Sequence, residues 1–235
     1  MTILELKEQY QIILNKGAKL EEYLAFEKEL ISNDNDDYLD FHFYIIGNRE
    51  KENLYFYLRA CFKNRKNKEK ISEYLIKKYK EGINDNVLKA DVIQILGNIK
   101  NPYIKSIVQQ EIISPIRDIR YRCIIVLGWI GNSKELPLLN ERMVNDPDEE
   151  LREFGATAMR QIWFNHKNTS DEITKYINNA IRNENSEKAL IGMIITLQDL
   201  HRKKFGIKES QEGDISGDVI AAKAKAIKYL DTIFK

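Results

Sequence analysis

Residues 118–132 read "DIRYRCIIVLGWIGN" and residues 87–101 read "VLKADVIQILGNIKN". Laid over one another, they bring Leu127-Gly128 onto Leu96-Gly97, a spacing of 31 residues, with Val126 on Ile95, Ile130 on Ile99 and Asn132 on Asn101. A third stretch, "ELREFGATAMRQIW" (150–163), fits 32 residues further on, with Met159 on Leu127 and Ile162 on Ile130. Self-similarity at a fixed period of a few tens of residues is the mark of a repeat architecture. The inner part, "YRCIIVLGWIG" (121–131), is too short to cross a bilayer, and its apolar residues recur at helical and not strand phase.

Each copy has its own start signal. Three of the four prolines follow Asn101, Ser114 and Asp146. Ser and Asp are good helix N-caps, and proline suits the first helical position. In Asp146-Pro147-Asp148-Glu149 the expected arrangement is Asp146 as N-cap, Pro147 at N1 and Glu149 at N3, closing a capping box. Between the marked helices, "PYIKSIVQQEII" and "KELPLLNERMV" leave room for one further helix per period. Helical spacing also runs through Leu4, Tyr10, Ile13 and Leu14, and through Ile71, Leu75 and Tyr79, while alternation bounded by hairpin dipeptides is missing. Two helices per period predict an all-α chain, an α-solenoid of stacked helical hairpins.

At these residues the chain resembles the HEAT-repeat superfamily, in the short variant named after phycobilisome lyases. The shared pattern is Asp-Pro-Asp, an aliphatic residue with Arg, a small residue, then Leu-Gly. Ile119-Arg120 and Leu151-Arg152 carry the aliphatic-Arg pair, with Leu88-Lys89 a conservative departure. Val92, Cys123 and Gly155 fill the small position, Leu96-Gly97 and Leu127-Gly128 the ending, and Met159-Arg160 departs from it. The likeness covers roughly residues 68–165. It implies a single HEAT-like domain over 1–235, with N-terminal helices and a degenerate repeat in 1–67, clear repeats in 68–165, and a degenerate repeat, a loop and a capping helix in 166–235. Within those ends, "DYLDFHFYIIGNRE" (37–50) and "SEKALIGMIITLQDL" (186–200) read as worn copies, and "VIAAKAKAIKYLDTIF" (219–234) as the cap. Terminal repeats need an atypical outer face, so wear at both ends is expected. The Gly/Ser-containing stretch 203–218, "KKFGIKESQEGDISGD", reads as a mobile loop.

Composition narrows the function. With 43% hydrophobic and 31% charged residues the chain is expected to fold. Its 37 Lys and Arg against 36 Asp and Glu leave a formal charge of +1, too little for the broad field of a nucleic-acid binder. Cys61 and Cys123 are far apart in sequence and form no CxxC pair. "MTILELKEQYQIIL" carries Glu5 and Glu8 within its apolar run, unlike an export signal. A cytoplasmic protein is expected, and the Lys/Asn/Ile-rich composition suggests a bacterial one. "ENLYFY" (52–57) resembles a tag-protease site but has Tyr57 where such a site needs Gln, so it is read as native helix.

No catalytic motif is present, and the expectation is a chain without catalytic residues, metal site or cofactor. His42, His166 and His201 are scattered. Asp146, Asp148, Glu149 and Glu150 sit in a first helical turn, where negative charge favours the positive end of the helix dipole. Lys89, Arg120 and Arg152 occupy equivalent positions and are expected to brace the stack, as such arginines do in HEAT-like arrays. In the middle copy, Ile119, Cys123, Ile124, Val126, Leu127 and Ile130 account for the core face. Tyr121, Ile125 and Trp129, spaced i, i+4, i+8, remain on another face. Their equivalents are Ala90, Gln94 and Asn98 before, and Glu153, Thr157 and Gln161 after. With Arg122 beside them they make a patch with an aromatic centre and a polar rim, the composition of a binding hot spot.

The patch predicts a non-catalytic protein-binding module, which would use it or the 203–218 loop to cover a complementary surface. Short proteins of the resembled kind include immunity proteins, so the most concrete form is one that binds and neutralises a cognate toxin. Nucleic acid and membrane are not expected partners. Two alternatives stand beside it. One is a HEAT-like DNA glycosylase drawing on Trp129, Trp163, Asp146 and Arg160; the other is a scaffold or lyase-like chaperone.

Overall fold

The computed structural model describes residues 1–234, and the chain divides into two compact units, 1–104 and 105–235. The first holds α1 (Ile3–Lys16), α2 (Leu20–Leu30), α3 (Asp36–Gly47), α4 (Glu52–Cys61), α5 (Lys68–Glu81) and α6 (Asn86–Ile99). From the boundary onward follow α7 (Ile104–Glu111), α8 (Arg117–Ile130), α9 (Leu136–Asn145), α10 (Glu149–Asn165), α11 (Ser170–Ile181), α12 (Glu187–His201) and α13 (Val219–Ile233). The only strands among the described residues are β1 (Lys208–Glu209) and β2 (Ile215–Ser216), paired antiparallel. The all-α solenoid is therefore observed. The helices expected between repeats are α7 and α9, and the stretches read as worn copies and as a cap are helical too, falling in α3, α12 and α13.

In the first unit the side chains of α1 to α4 converge on one cluster. Tyr10 stacks on Phe26 at 5.9 Å between ring centroids and meets Phe41 edge-on at 5.7 Å. Leu6, Leu30, Ile45 and Leu58 close the same cluster with almost no exposure. Leu4, read with the apolar face of α1, is 65% exposed, and Leu6 takes the core position in its place. Behind this cluster Arg65 is fully buried. Its five N–H groups are used on His42 Nδ1, the carbonyls of Leu30, Asn33 and Tyr38, and the Asp34 carboxylate. A buried guanidinium is tolerable only when so completely partnered.

In the second unit α8, α10 and α12 lie side by side, backed by α9 and α11, with α13 packed on α11 and α12. Small residues set the spacing. A Cβ on Gly155 would stand 2.9 Å from the Met143 backbone nitrogen, so α9 and α10 touch main chain to main chain. A Cβ on Gly192 would stand 2.8 Å from the Glu153 carbonyl oxygen, and Thr196 Oγ1 donates to the Ala156 carbonyl at 3.1 Å, locking α12 to α10. These positions must stay small because helix axes this close leave no room for a side chain.

Two start signals differ from expectation. The N-cap of α10 is Asp148, whose carboxylate accepts from the amides of Glu150 and Leu151; Asp146 accepts instead from the Asp148 amide and from Arg120 and Arg142. Glu149 is accordingly the first helical residue, and the predicted box does not form. Upstream, Ile116 occupies the N-cap position of α8 without a side-chain bond, and Ser114 Oγ accepts only from the Ile116 amide. In the Asp146-Pro147-Asp148 motif two capping side chains stand in tandem, and the inner one is used because Arg120 of α8 and Arg142 of α9 hold the outer one; in Ser114-Pro115-Ile116 the inner position is apolar and no side-chain cap forms.

Candidate functional site

The arginines of the repeats are fixed first, because they determine what is left to bind anything else. Arg120, on α8, grips Asp146 with Nε at 2.7 Å and Nη2 at 3.0 Å, and its Nη1 donates to the Ser114 carbonyl six residues back. Arg152, on α10, repeats the device on Glu184 at 2.7 and 3.1 Å, with Nη1 on the Asp146 carbonyl, again six residues back. Arg117 adds bonds to Asp148 and Glu150. Burial alone would raise the Glu184 carboxyl, yet the Arg152 fork and two backbone amides hold it below its ordinary value. The Arg117 guanidinium does the same for Asp148. These forks brace the stack, as expected of Arg120 and Arg152. Lys89, the third member of that series, places its ammonium over the Tyr79 ring at 5.5 Å.

The predicted stripe on α8 is less open than its register suggests. Tyr121, Ile125 and Trp129 are all half-buried, as are Arg122 and Ile130, the last of which was assigned to the core. Tyr121 packs on Phe154 of α10 with ring centroids 5.1 Å apart and planes tilted by 55°, while the Arg122 guanidinium lies 5.0 Å from the Tyr121 ring. Phe154 is the residue that sequence reasoning missed. It follows Glu153 and so lies off the i, i+4, i+8 register, but in the neighbouring helix a bulky side chain one position round still reaches across.

The rim divides by unit. On α10, Glu153, Thr157 and Gln161 are half-buried. Burial raises the Glu153 carboxyl above its ordinary value, with Glu150 and Glu209 adding to the effect against Lys188. The Gln161 side chain lies over Gly128, next to Trp129 in sequence, and its Oε1 accepts no hydrogen bond from the protein. In the first unit Gln94 is half-buried and Asn98 exposed, but Ala90 is only 1% exposed and belongs to the core. Ala90 is therefore removed from the surface set.

The 203–218 stretch, expected as a mobile loop, is built as a short ribbon. Phe205 and Ile207 are buried, and the Gln198 amide of α12 accepts from the Phe205 nitrogen at 2.8 Å and donates to the Ile207 carbonyl at 3.0 Å. Arg160 of α10 ties Glu209 at 3.0 Å and Asp199 at 3.3 Å. Gly206 and Gly217 form the neck, both at positive φ (120° and 131°); a Cβ on Gly217 would fall 2.2 Å from the Gly206 carbonyl oxygen. The ribbon thus lies against α12 and reaches α10 through Arg160.

The same contacts take apart the constellation considered for a glycosylase. Asp146 is held between Arg120 and Arg142, Arg160 is held by Asp199 and Glu209, and Trp163 lies under the Lys167 ammonium at 3.4 Å. His42 is a core residue between Arg65 and the Leu58 carbonyl, His201 Nε2 meets Thr174 Oγ1 at 3.0 Å, and His166 is exposed. No group of three His, Cys, Asp or Glu side chains that could hold a metal occurs among the described residues, and no helix there is long and apolar enough to cross a membrane.

Residues 73–160 match the family model described as HEAT repeats, so the stretch that showed the period is HEAT-repeat sequence and the fold is that superfamily's α-solenoid. That class is a protein-interaction or scaffold module. No curated protein matches the chain.

Proposed function

We propose that the chain is a protein-binding module, most concretely a bacterial immunity protein that neutralises a cognate toxin by covering a complementary surface. The observation that carries the reading is the Tyr121–Phe154 pair. Two aromatic rings from neighbouring repeats meet at 5.1 Å, are only half-buried, and are bordered by the half-buried Ile125, Trp129 and Thr157. Aromatic anchors on a rigid scaffold with a polar rim are what protein interfaces use. Helix packing at Gly155 and Gly192 and the arginine forks hold these residues in place before any partner arrives, which lowers the ordering cost of binding. The ribbon on α12 and α10 is offered as a second contact element.

The reading is tested by co-expression with a toxin domain encoded immediately upstream, scoring growth rescue and pull-down. Rescue that disappears in Tyr121→Ala/Trp129→Ala, with helicity and melting retained, supports it. Unchanged rescue and unchanged affinity in that variant would sink the assignment of the face.

A further inference from the structure

Most arginines of this chain are ion-paired, and the repeats use them up in the stack. At the junction of α12 and α13 the pattern reverses. Arg202, Lys203, Lys204, Lys208, Lys225 and Lys228 are all exposed, and among the described residues none forms an ion pair. They gather around one aromatic pair. Lys203 holds its ammonium 4.2 Å from the Tyr229 ring, Tyr229 packs on Phe205 at 5.5 Å and on His201 at 5.2 Å, and Lys225 Nζ reaches to 3.7 Å from where a Cβ on Gly206 would stand. Most carboxylates nearby are committed elsewhere, Asp199 and Glu209 to Arg160, Asp231 to Arg182, and Asp218 to the Ala221 amide as N-cap of α13, which leaves Asp171 near His201 and Glu212 and Asp214 at the ribbon tip as the acidic groups without an ion pair among the described residues.

A cation or two at a helix C-terminus offsets the dipole, and that accounts for Arg202 and Lys203. It does not account for Lys225, which comes from a different helix and brings like charge to Gly206, with Lys228 one turn further along α13. In a chain of net charge +1, six cations without an ion pair outnumber the free carboxylates around them, and such a local positive excess steers and orients an oppositely charged partner.

We propose that this patch docks an acidic surface of a protein partner. The proposal extends the protein-binding reading by stating the partner's charge, and rests on it only in taking the partner to be a protein. A protein is favoured over a nucleic acid because a folded partner can present its acidic groups to the lysines alone and leave the ribbon tip unopposed. The adjoining ribbon tip carries Glu212 and Asp214, which would repel a continuous phosphate backbone.

The test is fluorescence anisotropy with labelled deca-glutamate at low salt, using the full chain. Binding that weakens as salt rises, and that drops at least about tenfold in Lys203→Glu/Lys204→Glu/Lys225→Glu, is expected. The control triple Lys16→Glu/Lys66→Glu/Lys134→Glu, none of it in this cluster, should fall much less. No binding at low salt, or equal loss in both triples, overturns the proposal. Tighter binding of a 20-base-pair duplex or of phosphatidylserine vesicles through the same lysines also overturns it, in favour of a phosphate-bearing ligand. Tyr121→Ala/Trp129→Ala should leave deca-glutamate affinity unchanged, so failure here and failure of the aromatic face are separate results.

Discussion

Arg65 Nε donates to His42 Nδ1 at 3.2 Å, and that contact decides the protonation state of a fully buried histidine. With Nδ1 accepting, Nε2 carries the proton and donates to the Leu58 carbonyl at 2.9 Å. Burial first, and then the Arg65 charge, hold the His42 pKa well below its ordinary value. The folded state therefore keeps the ring neutral, while the unfolded chain protonates it near pH 6.5. Stability is present in full above that pH and is lost as pH falls below it, at up to about 1.4 kcal/mol per pH unit for one proton. His201 shifts in the same direction through burial and adds to the slope. Urea unfolding at pH 7.5, 6.5 and 5.5 checks this. The depressed carboxylates Asp40, Asp85, Asp148 and Glu184 enter only at lower pH, so a flat profile between 6.5 and 5.5 would contradict the assignment.

The Arg120–Asp146 pair is nearly dry, with Asp146 fully inaccessible at its side chain. Removing one partner of a buried pair leaves an uncompensated charge and costs about 3–5 kcal/mol, whereas removing both costs less. Arg142 reaches the same carboxylate at 3.4 Å and softens the loss. Arg120→Met is expected to destabilise by about 3 kcal/mol, and Arg120→Met/Asp146→Asn by clearly less than the sum of the two single changes. A double-mutant cycle from denaturant melts reads the coupling; additivity would mean that the fork contributes nothing.

How far these features were legible from sequence depends on whether they repeat. The period, the helix pairs and the bracing role of Arg120 and Arg152 were legible, because each recurs at 31 or 32 residues and a pattern seen twice constrains the fold. Which aspartate caps α10 was not, since Asp146 and Asp148 are equally good caps and the choice is made by Arg120, 26 residues away. The half-burial of Tyr121 was hidden because Phe154 sits outside the register of the stripe. Arg65 and His42 lie where the repeat has worn away, so no second copy marked them. The ribbon was hidden by its length: strands of two residues have no periodicity to detect.

Glycines of similar appearance should respond oppositely to one methyl group. Gly155→Ala places Cβ 2.9 to 3.0 Å from the Met143 backbone and Cβ, and main chain cannot step aside. Overpacking of this kind costs about 1–3 kcal/mol and outweighs the roughly 1 kcal/mol that alanine gains over glycine in a helix. At Gly47 the nearest atom is Leu88 Cδ2 at 3.6 Å, ordinary contact, so Gly47→Ala should be neutral or stabilising by a few tenths of a kcal/mol, well short of the full helix gain of about 1 kcal/mol because the site ends α3. Thermal melts of both variants give the signs directly, and equal responses would argue against main-chain contact at Gly155.

The ribbon depends on Arg160, whose guanidinium is the link from α10 to Glu209, and on Gln198 beneath it. Arg160→Met should raise amide exchange across 208–216 several-fold while leaving α10 and α12 protected, because the helices are held by Gly192 and Thr196 and not by this pair. Exchange rising equally in α12 would show that the pair supports the stack itself.

The aromatic face yields the prediction most directly tied to function. Tyr121 and Trp129 are half-buried, so truncating them should cost the fold little, about 1 kcal/mol each, which for Tyr121 includes the lost ring contact with Phe154. An interface anchor costs more in binding, at least about 2 kcal/mol on truncation, or roughly thirtyfold in affinity. Phe154→Ala separates the two roles. It removes the support of Tyr121 without removing a stripe residue, so affinity should fall by an intermediate amount, and combining it with Tyr121→Ala should add little because the two rings act as one unit. Calorimetry against the captured partner measures all three variants. If Phe154→Ala and Tyr121→Ala proved fully additive, the rings would be making independent contacts and the paired-ring anchor would have to be abandoned.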